Sequence, residues 1–135
     1  MTFYDAEHNK GKMYELKYLP NLRTFFNDDS IENISERFSK FDFKGKNKLI
    51  EMKQRNIKST SYQDTMMPLP KMKYCKEHLD IDIYFVILFT DGLFYWKYDV
   101  NSELNYRSGG RSDRLTNEIR DYAYIPMNYF KKIET

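Results

Sequence analysis

The stretch "FSKFDFKGKNKLIEMKQRN", residues 38–56, decides the fold. Two apolar-rich arms, around Phe41 to Phe43 and around Leu49 to Met52, flank Gly45-Lys46-Asn47, the pattern of a β-hairpin. Side chains alternate along a strand, and cross-strand partners share a face. With the loop at Gly45-Lys46 or at Lys46-Asn47, paired residue numbers sum to an odd value, and Phe41 and Phe43 fall on one face with Ile50 and Met52. The other face then carries Lys40, Asp42, Glu51 and Lys53, with Asp42 opposite Glu51 or one diagonal step away, roughly 5 to 8 Å apart. A three-residue loop would scatter the apolar residues over both faces, so the apolar pattern itself selects the register that assembles the charges.

Two carboxylates this close repel each other unless a cation lies between them. Oxygen ligands without histidine or cysteine suit Mg²⁺ or Mn²⁺, which take one or two carboxylates plus waters and substrate phosphate. An adjacent lysine can hold or deprotonate an attacking water, or neutralise charge developing on phosphorus. Together these are the parts of metal-assisted phosphodiester hydrolysis. The plainer alternative is a ladder of cross-strand ion pairs on a solvated sheet, which contributes little stability.

Working outward, "MYELKYL" (13–19) alternates like a short strand ended by Pro20. "NDDSIENISERFSK" predicts a helix, with Asp28, Asp29 and Ser30 at its start and Ile31, Ile34 and Phe38 at helical spacing. After the hairpin, "PLPKMKYCKEHL" predicts a second helix, with Pro70 in its first turn and Met72, Cys75 and Leu79 on one side. "IYFVILF" and "LFYWKYD" form a hairpin around Thr90-Asp91-Gly92, and its continuously apolar first arm belongs at the centre of a sheet covered on both faces. A polar loop, a helical or mixed stretch near "LTNEIRDY", a short extended piece "AYIP" and a terminal "MNYFKKI" follow.

The chain of 135 residues suits a single domain, residues 1–135, with a core at about 28–99 and a C-terminal extension at 100–135. One cysteine leaves no intrachain disulfide and two histidines give no zinc spacing, so an intracellular, non-secreted protein is expected. No segment has the length of a membrane span or the apolar core of a signal peptide. A formal charge of +2 is too small to reveal a nucleic-acid partner by itself.

Asp42, eight intervening residues and Glu51-Met52-Lys53 on a hairpin resemble the signature of the PD-(D/E)XK nuclease superfamily. The helix, hairpin, helix and central strand over residues 28–99 resemble its αβββαβ, restriction-endonuclease-like core. "FDFKGKNKLIEMKQR", "PLPKMKYCK" and "YFVILFTDGLFYWKY" are similar to small endonuclease-like proteins of large DNA viruses and phages. The resemblance implies a mixed α/β fold and a Mg²⁺- or Mn²⁺-dependent nuclease acting on nucleic acid, DNA in the first instance, as an endonuclease or resolvase-like enzyme. It implies Asp42 and Glu51 as metal ligands, Lys53 as the catalytic lysine, and Arg55 and Lys71 as auxiliary charges. A family glutamate on the first helix corresponds to Glu32 or Glu36, of which Glu32 lies nearer the apolar boundary. Phe41 stands where the family motif has proline, and the usual first strand is short, displaced or replaced by "MYELKYL". Many members pair to cut two strands, so a homodimer is also expected.

Arg107, Arg111 and Arg114 surround two glycines in "YRSGGRSDR", a composition that can wrap a phosphate backbone. Tyr62 and Tyr106 are the tyrosines best placed to meet exposed bases. Two other classes remain open: a nuclease-fold module that binds nucleic acid or a protein without cutting, and a small structural or regulatory protein whose carboxylates only pair with lysines.

Overall fold

The computed structural model describes residues 3–36, 39–109 and 120–134. In chain order the elements are α1 (Phe3–Phe25), β1 (Glu32–Asn33), β2 (Phe43–Gly45), β3 (Lys48–Gln54), β4 (Asp64–Pro68), α2 (Leu69–Glu77), β5 (Asp82–Phe89), β6 (Gly92–Lys97), β7 (Asn105–Gly109), β8 (Arg120–Pro126) and β9 (Lys131–Ile133), with a 3-10 turn at Met127–Tyr129. Six strands form one sheet in the order β1-β2-β3-β5-β6-β9, and β4, β8 and β7 form a second. β3 and β5 run parallel while every other pair is antiparallel. A parallel pair needs a long crossover. Residues 55–81 supply it, and the crossover lays α2 over one face of the sheet. The architecture is mixed α/β, in keeping with a restriction-endonuclease-like fold.

Each face of the larger sheet has its own core. Against α1, Leu22 and Ile31 pack with Phe43, Ile50, Met52, Val86, Leu93 and Ile133. Against α2 and the smaller sheet, Met72 and Cys75 join Ile83, Phe85, Ile87, Phe89 and Trp96. β5 supplies both cores, as its continuous apolar run predicts. Phe43 and Phe85 are fully buried, and a side chain of that size contributes about 1.5–3 kcal/mol by leaving water.

The hairpin has the expected parity. Phe43 pairs with Ile50, Lys44 with Leu49 and Gly45 with Lys48, leaving Lys46-Asn47 as the loop. Asn47 has φ 52°, a left-handed conformation that asparagine tolerates. Gly45 is needed for a close approach: a Cβ there would lie 2.7 Å from Asp28 Oδ2 and 2.8 Å from Ile31 Cγ1.

Five expectations are corrected. Residues 13–19 lie inside α1, not in a strand, because Tyr14, Tyr18, Leu19 and Leu22 bury one helical face against the sheet. Pro20 is accommodated within that helix on its exposed side. The segment from Asp28 is not a helix. Asp28 instead accepts hydrogen bonds from Ser30 N (2.9 Å), Lys46 N (3.0 Å) and Lys48 Nζ (2.7 Å), which clamps a turn onto the hairpin loop, and β1 follows. Residues 37 and 38, at the end of that supposed helix, lie outside the described residues. Phe41 leaves the face of Phe43 and packs in the α2-side core, because regular pairing of β2 begins only at Phe43. Leu79 lies beyond the end of α2 and is exposed. Of the stretch read as helical near residue 115, 115–119 lie outside the described residues and 120–126 are strand β8.

Candidate metal and catalytic site

Alternation along β3 sends Ile50 and Met52 toward α1, and Glu51 and Lys53 to the opposite side. There Glu51 sits beside Phe85 and Lys53 beside Ile87 of β5. Glu51 is only 9% exposed. Its Oε2 meets the ammonium of Lys71 in an ion pair. Lys71 comes from the first turn of α2, whose start is fixed by Pro70, and its ammonium also lies 4.6 Å from the Phe41 ring centroid. The early-helix lysine thus reaches the hairpin carboxylate, and the departure of Phe41 from its expected face gives that lysine an aromatic support.

Asp42 stands where the ladder breaks. Its N–H donates to Ile50 O (3.0 Å), but its carbonyl turns away from β3 to accept from Ile34 N (2.8 Å) and Asn33 Nδ2 (2.9 Å). Its Oδ2 accepts instead from Met52 N (2.8 Å), which fixes the carboxylate at the hairpin. The Asp42 and Glu51 carboxyl groups lie within hydrogen-bonding reach of each other. Burial, the charge and hydrogen bond of Glu51, and the charge of Glu15 together push the Asp42 carboxyl up to about 8, despite the opposing bond from Met52 N. Lys53 is displaced the other way. Burial lowers its pKa, Glu51 opposes that shift, and Arg55 and Lys71 add to it.

Glu15 is the residue that sequence reasoning missed. It projects from α1, accepts from Asn33 Nδ2 (2.8 Å) and pairs with Lys12 (3.2 Å). The same Asn33 amide donates to Asp42 O, so one side chain ties the helix glutamate to the aspartate. The i, i+4 spacing of Tyr14, Tyr18, Leu22 and Phe26 was the signal for this helix, and hence for a glutamate at its edge.

Glu32 and Glu36 do not join the cluster. Glu32 is exposed in β1 opposite Lys44, and Glu36 is exposed in the segment after it. Arg55 follows β3, its N–H donating to Leu88 O (2.9 Å). Arg107 lies on the smaller sheet, paired with Asp64 (2.6 Å) and stacked 3.7 Å from the Tyr124 centroid. Arg111 and Arg114 lie outside the described residues. Tyr62 and Tyr106 are 67% and 62% exposed, open to an incoming ring. Asp91 forms the expected turn, and it also binds Ser59 N (2.8 Å) and Oγ (2.6 Å), tying the crossover to the end of β5.

Among the described residues no group of three or more His, Cys, Asp and Glu side chains is gathered as a metal cage. The donor set is the Asp42–Glu51 pair, which suits Mg²⁺ or Mn²⁺, ions that take one or two carboxylates and complete their shell with water and phosphate. The pair fits such an ion on physical grounds. Glu51 Oε2 is buried with no hydrogen-bond partner among the described residues beyond its lysine contact, and Asp42 is under repulsion that a cation would relieve.

No curated protein and no solved structure matches the chain. Residues 36–133 match the model of a family described as "Phage putative PDDEXK endonuclease". That span holds the whole hairpin, α2 and both sheets except β1. The chain belongs to this phage PD-(D/E)XK endonuclease family.

Proposed function

We propose that the chain, working as one nuclease-like domain, is a divalent-metal-dependent endonuclease that hydrolyses phosphodiester bonds in DNA. The observation that carries this reading is the convergence on one hairpin of two carboxyl groups and a lysine: half-buried Asp42 fixed by Met52 N–H, Glu51 only 9% exposed and paired with Lys71, and Lys53 two residues beyond Glu51 on the same side of β3, where burial raises the Asp42 pKa and lowers that of Lys53. Side chains that only decorated a solvated sheet would be free of such shifts.

Asp42 and Glu51 would hold the ion. Bound Mg²⁺ supplies Lewis-acid polarisation of a phosphoryl oxygen and a lowered pKa for water. The rest falls to the protein. Met52 N–H holds Asp42 Oδ2 in position, so little ordering remains when substrate arrives. Lys53, whose pKa burial lowers, is the group placed to exchange a proton with the attacking water or the leaving oxygen. Lys71 holds Glu51 by its ion pair and is a cation available to developing charge on the phosphate.

Incubation with supercoiled, linear, single-stranded and branched DNA in Mg²⁺ or Mn²⁺ tests this reading. Cleavage is expected, abolished by EDTA and lost in Glu51→Gln. Wild-type protein that binds DNA but cuts no substrate with either ion would leave a binding module in place of an enzyme.

A further inference from the structure

Beyond the carboxylates, the crossover after β3 encloses a second feature that the proposed chemistry does not use. It is a cavity of about 320 Å³ walled by Ile57, Met66, Phe89 and Met127, with Arg55 and Tyr62 at its border. Lys58 also lines it, as does Asp64, whose carboxylate is already paired with Arg107, so two cations and one neutralised acid flank an apolar hollow. Arg55 lies two residues beyond Lys53, just past the end of β3 at Gln54, where its N–H donates to Leu88 O. Through Arg55 the lining of the cavity comes within two residues of Lys53 along the chain.

The cavity is also preformed. The segment from Arg55 to Gln63 is held at several points: Arg55 N to Leu88 O (2.9 Å), Thr90 N to Ile57 O (3.0 Å), Ser59 N to Asp91 Oδ1 (2.8 Å) and Met127 N to Gln63 O (2.8 Å). Tyr62 sits on this tethered segment and is 67% exposed. An aromatic ring held by a fixed backbone yet open to solvent has one face free of packing cost for a planar ligand.

We infer that this cavity receives a single unstacked nucleobase next to the cleaved phosphodiester, so that the preferred substrate carries an unpaired nucleotide there. A volume near 320 Å³ is at the small end of small-molecule sites, about 300–1,000 Å³, and holds one base rather than a stacked run. Apolar and aromatic walls accept any base through its π-face, while flanking cations take the phosphates on either side. A base inside a duplex cannot reach such a hollow without being extruded, at a cost of a few kcal/mol that an unpaired nucleotide avoids. The inference rests on the nuclease reading for its substrate. Its test reads binding without cutting, so the two can fail separately.

Single-stranded oligonucleotides carrying one abasic nucleotide at successive positions would be titrated in Ca²⁺, and the same set digested in Mg²⁺. One position should weaken binding about 5- to 100-fold, the range expected for a lost base stack, and that position should adjoin the cut. Tyr62→Ala should erase the dependence on position, and Tyr62→Phe, which keeps the ring, should restore it. Position-dependent binding without cleavage would support the pocket and sink the nuclease reading. Cleavage with uniform binding across all abasic positions, or a Tyr62→Ala profile identical to wild type, would overturn the pocket alone.

Discussion

Two acid–lysine groups sit at opposite ends of one hairpin, and they behave oppositely. At the loop end, Asp28 meets Lys48 Nζ at 2.7 Å and also accepts from Ser30 and from Lys46 N. Lys48, Ser30 and the Lys46 amide hold its carboxyl well below the usual carboxylate range. At the other end, half-buried Asp42 has one backbone donor and faces Glu51, and its carboxyl is pushed up to about 8. The loop-end group is complete within the protein. At the Asp42 end two facing carboxyl groups share one lysine ion pair and one backbone donor, so Asp42 keeps a proton to a higher pH, and in the proposed reading a bound cation takes that proton's place.

The largest expected break in this comparison is in rate. Lys53→Ala should lower turnover about 10²- to 10⁴-fold, the contribution usual for positioned acid–base groups, while metal and DNA binding persist. Lys48→Ala, at the complete end, should leave turnover near wild type. Single-turnover cleavage measured alongside DNA binding in Ca²⁺ would separate the two, and equal rate losses in both variants would erase the distinction.

The next effect is in stability, and the two ends carry opposite pH signs. Asp42 is raised from 3.8 to about 8, so below about pH 4 folded and unfolded chains both hold its proton and no penalty arises. Between those values only the unfolded chain gives the proton up, and metal-free stability should fall as pH rises, by up to about 1.4 kcal/mol per unit. Asp42→Asn should remove that slope and be more stable than wild type at pH 8. Denaturant melts at pH 5, 6, 7 and 8 in EDTA measure it, and a flat wild-type profile would contradict a proton-holding Asp42.

Asp28 has the reverse sign and the smallest effect. Its lowered pKa contributes stability that is present above its unfolded value of 3.8 and is lost as pH falls through the folded value. Asp28→Asn should therefore cost a little thermal stability at pH 7 and blunt the loss on acidification, without altering cleavage. Melting temperatures between pH 2 and 7 would show it.

The same contrast explains what could be read from sequence. Hairpin parity is a local property fixed by the alternation of Phe43, Ile50 and Met52 with Glu51, so the register and the Asp42–Glu51–Lys53 cluster were legible. Pro70, the early Lys71 and the apolar run of β5 were equally local. Asp28, Asp29 and Ser30 misled because residues that cap helices also build side-chain turns, and the partner that decides the matter, Lys48, lies twenty residues away. In α1 the alternation of residues 13–19 outweighed the i, i+4 row from Tyr14 to Phe26, because only the sheet beneath it reveals which pattern is buried. With that helix misplaced, Glu15 had no position from which to approach Asp42, and Glu32 and Glu36 stood in its place. Phe41 was misassigned for a related reason: Asp42 leaves the ladder to serve Ile34 and Asn33, a break that alternation cannot foresee.

Calorimetric titration of Mn²⁺ at pH 7, repeated in buffers of different ionisation enthalpy, tests the central claim most directly, because it reads both the ion and the proton that the ion replaces. Wild type should bind Mn²⁺ and release about one proton, since ligands must be deprotonated to coordinate and Asp42 still holds its own at that pH. Asp42→Asn and Glu51→Gln should each lose binding while staying folded. Unchanged Mn²⁺ affinity in both variants, or binding with no proton released, would contradict the account of Asp42 and Glu51 as a strained carboxylate pair awaiting a metal.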